Sequence, residues 1–112
     1  MKIQLDHIQR LNLHALLGAQ RGDVSTIRAI WDLQDKLGLT PDEESALELK
    51  RDYSGGHERC LWNPTRSLPS TAFDFNDCEV ARLRQSIESW DGFGVAADRS
   101  WLEPILTATT KP

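Results

Sequence analysis

Apolar positions recur with helical spacing along most of this chain, in stretches separated by glycine, proline and small polar residues. The first stretch, Ile3 to Leu17, carries more apolar surface than one side of a surface helix needs. Stepping about 100° per residue, Leu11, Ile8 and Ala15 form one flank and Leu5 and Leu16 the middle. Leu13 and Leu17 form the far flank, beside Asp6 and Arg10. The arc covers roughly two thirds of the circle, where an amphipathic helix needs a stripe of about 100°. Such a helix is either the centre of a small fold or also meets a partner.

The next elements carry local punctuation. Asp23 stands as an N-cap before Val24, and Val24, Ile27, Ile30, Trp31 and Leu37 share a face. Arg28, Asp32 and Lys36 read as successive i,i+4 pairs on the opposite side, and Gly38 as a left-handed C-cap. Thr40, Pro41 and Glu43 make a capping box with proline at the first helical position, which predicts a third helix from Pro41 to Asp52. Tyr53-Ser54-Gly55-Gly56-His57 breaks that pattern. Two extended runs follow, His57 to Trp62 and Thr71 to Phe75, joined by a polar, proline-containing loop and read as a hairpin.

Asn76 and Glu79 repeat the capping-box spacing. The helix they open runs from Asp77 to Trp90, with Val80, Leu83, Ile87 and Trp90 as its stripe. Asp98 heads a last short helix through Trp101, Leu102, Ile105 and Leu106, with Pro104 expected to be tolerated only near its start. Residues Thr107 to Pro112 read as a frayed tail. Together these elements predict a mainly α fold, a compact domain of four to five helices around the first, with a small β-hairpin insertion.

At 112 residues the chain reads as one domain, residues 1–112. No apolar run approaches the length of a membrane span, and the first residues lack a uniformly apolar secretory core, so a cytoplasmic location is expected. The net charge of −4 disfavours a nucleic-acid binder. Arg82 and Arg84 lie some 160° apart on their helix and build no basic patch.

Catalytic and metal-binding patterns are weak. His7 and His14 would sit about 10 Å apart along a helix, and no spacing among them, His57, Cys60 and Cys78 matches a zinc pattern. No metal and no cofactor is expected. Ser54-Gly55-Gly56-His57 lacks the lysine and the strand-then-helix context of a phosphate loop. Three residues apart on a strand, His57 and Cys60 point to opposite faces, so no nucleophile–base pair forms. The expectation is therefore not an enzyme.

Three segments, Leu11 to Gly22, Trp31 to Lys36 and Ala97 to Pro104, resemble small accessory proteins carried by tailed bacteriophages and prophages. That resemblance carries no functional residue with it. It implies a protein that binds another protein, such as a phage-encoded inhibitor of a host or anti-phage defence protein. The alternatives are a self-associating virion or assembly component and a small nucleic-acid-interacting protein. Trp31 and Trp90 read as core. Leu13, Leu17, Trp62 and Trp101 are the residues expected at a partner contact, although core anchoring accounts for each tryptophan by itself.

Overall fold

Lys2-Ile3-Gln4-Leu5 alternates polar and apolar, and the chain follows that period of two rather than the helical one. The computed structural model describes residues 1–52, 59–96 and 98–109. In it β1 (Lys2–Leu5) buries Ile3 and Leu5 and exposes Lys2 and Gln4. Asp6 then starts α1 (His7–Gly18) with a capping box. Its carboxylate accepts from the Gln9 backbone N–H at 2.8 Å, and the Gln9 side chain accepts from the Asp6 N–H at 2.9 Å. The excess apolar arc of the first stretch was thus a strand and a helix read in one phase.

Five helices and four short strands make up the described residues. After α1 come α2 (Val24–Leu37), α3 (Pro41–Leu47), β2 (Lys50–Asp52), β3 (Arg59–Leu61), β4 (Thr71–Asp74), α4 (Asp77–Ser89) and α5 (Arg99–Thr109). The fold is mainly α with a small hairpin, as the pattern predicts. The N-caps at Asp23, Thr40 and Asn76 all form, with the glutamates of the last two completing their boxes.

Strand pairing differs from the expected hairpin. β2 pairs antiparallel with β3, and β4 pairs antiparallel with β1, Ile3 opposite Phe73 and Leu5 opposite Thr71. The third helix stops five residues earlier than predicted, at Leu47, because Glu48 takes a left-handed conformation (φ 55°) and turns the chain into β2. Its carboxylate is held there by the Asn63 side-chain amide at 2.5 Å.

Helix α1 packs on α2, α4 and α5, the central position expected of it. Leu13 and Leu17 meet Ile30, Leu33 and Leu37 of α2, Leu83 and Ile87 of α4, and Trp101 and Ile105 of α5 in one core. Ile3, Leu5, Phe73 and Phe75 of the β1–β4 layer close the same core. Helix α5 continues through Thr109 with Pro104 inside it, so residues 107–109 are not part of a frayed tail. Its last turn is held by Arg84, which donates to the Leu106 carbonyl and the Thr109 hydroxyl. Thr110 to Pro112 lie outside the described residues.

A buried arginine fastens these layers together. Arg10 is 4% exposed. Its Nε donates to the Leu37 carbonyl (3.0 Å) and Nη2 to the Gly38 carbonyl (2.8 Å), while Nη1 and Nη2 grip both oxygens of Glu43 at 2.6 and 3.0 Å. Its guanidinium also lies over the Phe73 ring, 5.2 Å from the centroid. The C-terminal carbonyls of α2 are therefore satisfied by a side chain. Gly38 accordingly has φ −59° rather than the left-handed cap expected of it. Lys36 repeats the arrangement on the other side, donating to both Glu79 oxygens at 3.2 Å and to the Asp74 carbonyl, 4.8 Å from the Phe75 centroid. Lys36 is thus drawn across to α4, and neither expected i,i+4 pair on α2 forms.

Arg10 holds the Glu43 carboxyl at about 2, against an ordinary 4.5. A depressed carboxylate contributes stability that is complete above its unfolded value and fades as pH falls through its folded one. Stability is therefore expected to fall between pH 4.5 and about 2, and Glu43→Gln should flatten that limb of a pH–urea series. Arg10→Ala leaves Glu43 and two helix-end carbonyls unpaired and should cost about 3–5 kcal/mol in urea denaturation at pH 7.

Candidate interaction surface

The outer face of α2 has the most exposed tryptophan among the described residues. Ile30, Leu33 and Leu37 form the buried stripe, with Ile27 half-buried beside it. Trp31 and Val24 lie roughly 100–120° round from Ile30, past the edge of that stripe. Trp31 is 56% exposed and Val24 67%. Trp31 is therefore not the core residue its apolar neighbours suggest. Leu33, i+3 from Ile30 and i−4 from Leu37, takes the inward position instead. Asp35 and Arg28 border the exposed pair on the side away from the buried stripe, with Asp32 farther round, and none of them has an ion-pair partner among the described residues. An indole with a mixed-charge rim is the composition of an interface anchor.

On α1 the structure inverts the expected flanks. Leu13 and Leu17 are fully buried, whereas Ile8 and Ala15 are exposed and Leu11 half-buried. The far flank is not a partner face. The reason is Arg10, which turns inward to reach the end of α2 and brings Leu13 and Leu17, three and seven residues on, into the core with it.

Trp101 is also a core anchor rather than a contact surface, at 7% exposure. Its indole Nε1 donates to Asp98 at 2.8 Å, and its carbonyl accepts from the buried Gln9 amide at 3.1 Å. The ring leans on Phe93, with centroids 6.1 Å apart. The Trp101 indole and the Gly94 N–H, which Asp98 also accepts, together hold the Asp98 carboxyl below the usual range. Asp98 thus ties the loop before α5 to that helix, a side-chain use different from the N-cap bond expected of it.

Trp62 is half-buried and meets His7 edge-to-face, with centroids 5.7 Å apart and planes at 85°. His7 is itself buried, and its Nδ1 has no hydrogen-bond partner. Trp90 is half-buried at the end of α4. The four expected contact residues are therefore not gathered on one surface. Leu13, Leu17 and Trp101 share the core, and Trp62 stands apart beside His7.

The residues weighed for chemistry are also dispersed. His14 and Cys78 are exposed on α1 and α4. Ser54, Gly55, Gly56 and His57 lie outside the described residues, as does the side chain of Cys60. Among the described residues no group of three or more His, Cys, Asp or Glu is placed to hold a metal ion. No helix among them is long and apolar enough to cross a membrane.

Trp31→Ala is expected to change stability by no more than about 0.5 kcal/mol, as for a surface site. Trp101→Ala should cost about 3–5 kcal/mol. His7→Phe keeps a ring against Trp62 and removes an unpaired buried nitrogen, so it should stabilise by about 1 kcal/mol. Denaturant midpoints of the three variants check all three values. No protein-family model, curated protein or solved structure matches the chain.

Proposed function

We propose that this chain is a non-enzymatic protein-interaction module that docks through the outer face of α2. The observation that carries the reading is the exposure of Trp31 beside Val24 on a well-anchored helix. Leaving an indole in water forgoes the large gain of burying it, and tryptophan is the side chain most enriched where partners are gripped. The helix that presents it is fixed at both ends, by the Asp23 cap and by Arg10 on the Leu37 and Gly38 carbonyls. A partner would therefore meet a preformed surface and pay little to order it. The resemblance of Leu11 to Gly22, Trp31 to Lys36 and Ala97 to Pro104 to phage accessory proteins supports the narrower form, an inhibitor of a host or anti-phage defence protein acting in the bacterial cytoplasm.

Affinity capture from bacterial lysate, comparing the natural chain with Trp31→Ala and Val24→Ser, tests this. A partner captured by the natural chain should be lost from both variants, with unchanged melting temperatures. Retention of the same partner by both variants would sink the α2 reading. A concentration-dependent dimer that Trp31→Ala abolishes would instead identify self-assembly as the role of this face.

A further inference from the structure

A second surface, independent of Trp31, lies along the other side of β1. Met1 and Phe75 exchange both backbone hydrogen bonds at 2.8 Å, which fixes the phase of the antiparallel ladder. Bonded pairs alternate with unbonded ones, so Ile3 and Leu5 point their backbone groups at β4, and Lys2 and Gln4 point theirs away. Among the described residues, the outward N–H and C=O of Lys2 and Gln4 have no hydrogen-bond partner. The outer edge of β4 differs. There the Asp74 carbonyl, which also points out of the ladder, is taken by Lys36.

A groove of about 710 Å³ lies between the start of β1 and α5. Met1 and Lys2 form one wall, and α5 forms the other with the Arg99–Glu103 ion pair, Ser100, Pro104 and Ala108 among its lining residues. Pro104 is the sixth residue of α5, beyond the first turn where proline is expected. Lacking an N–H, it leaves the Ser100 carbonyl without its i+4 donor on the groove wall. Strand edge, facing helix and apolar lining together have the form of a groove that accepts an added strand.

The geometry points to β-strand addition: this groove takes an extended segment of another polypeptide, which pairs with the free edge of β1 and places an acidic side chain against Lys2. Unpaired backbone donors and acceptors specify a strand as the occupant. Charge specifies the acid, since Arg99 already pairs with Glu103 at 3.1 Å whereas Lys2 has no carboxylate partner among the described residues. A second copy of this chain paired edge to edge would protect the same amides, and the concentration arm of the test separates it from an added peptide strand.

The test uses the full chain and a display library of random heptapeptides. Enriched peptides should alternate apolar and polar residues and carry Asp or Glu. Titrated into labelled protein, the best of them should shift the Lys2 and Gln4 amides and leave those of α2 unmoved. Gln4→Pro removes one outward N–H without touching the β1–β4 ladder, a position where an edge strand tolerates proline. It should weaken that peptide at least tenfold, with the melting temperature unchanged. Should Gln4→Pro not fold, Lys2→Glu changes only an exposed charge and should weaken acidic peptides at least fivefold. The inference fails if no peptide is enriched, or if the binders are insensitive to whichever of these variants folds. It fails also if they are lost on Trp31→Ala, or if the Gln4 amide becomes protected with rising protein concentration alone, the mark of a second copy on the edge.

Discussion

The Arg10 guanidinium is the constraint on which the rest of the arrangement depends. A buried cation is tolerated only when its charge and its donors are met. Here one carboxylate, two helix-end carbonyls and an aromatic face meet them. Those partners belong to α2, α3, β4 and the turn between the two helices. Satisfying one side chain of α1 therefore fixes where α2 must end, where α3 must begin and how near β4 must lie. The apolar contacts of the core supply driving force without direction. Arg10 supplies the direction.

Lys36 extends the same logic to the other half of the molecule. Each cation sits over one ring of the Phe73 and Phe75 pair and binds the glutamate that completes a capping box, Glu43 for Arg10 and Glu79 for Lys36. These glutamates serve twice, toward the backbone N–H of their own N-cap and toward a cation from another helix. Local helix initiation and tertiary placement are thereby coupled. A box that failed to form would also misplace the carboxylate that an arginine or lysine requires.

The features legible in the sequence are those decided within about four residues. The caps at Asp23, Thr40 and Asn76, the stripe of α4 and the central place of α1 follow from spacing and side-chain type. The rest depended on contacts far along the chain. Two apolar residues, Ile3 and Leu5, are too few to separate a strand from the helix they precede, and β4, which makes them a strand, lies some seventy positions away. Arg10 misled for a related reason. A charge on a helix reads as solvent-facing, so Leu13 and Leu17 beside it read as a surface flank, and only the carbonyls of Leu37 and Gly38 reveal that it points inward. Of the candidate surfaces, Trp31 was visible as a residue but not as an exposed one. The edge of β1 was not visible at all, because the strand itself was not.

The β1–β4 pairing also bears on how the protein comes into being. Residues 2–5 are made well before their partner strand, which follows only after α1, α2 and α3 have been synthesised. During that interval Ile3 and Leu5 have no sheet to enter, and Arg10 lacks the ring of Phe73. The early helices can coil and collide, but the layer that closes over them arrives late, so completion of the native state waits on synthesis past Phe75. A nascent chain stalled short of that point would display Ile3 and Leu5 to chaperones and proteases, and even past it the core stays open until Leu83 and Ile87 of α4 and Trp101 and Ile105 of α5 arrive.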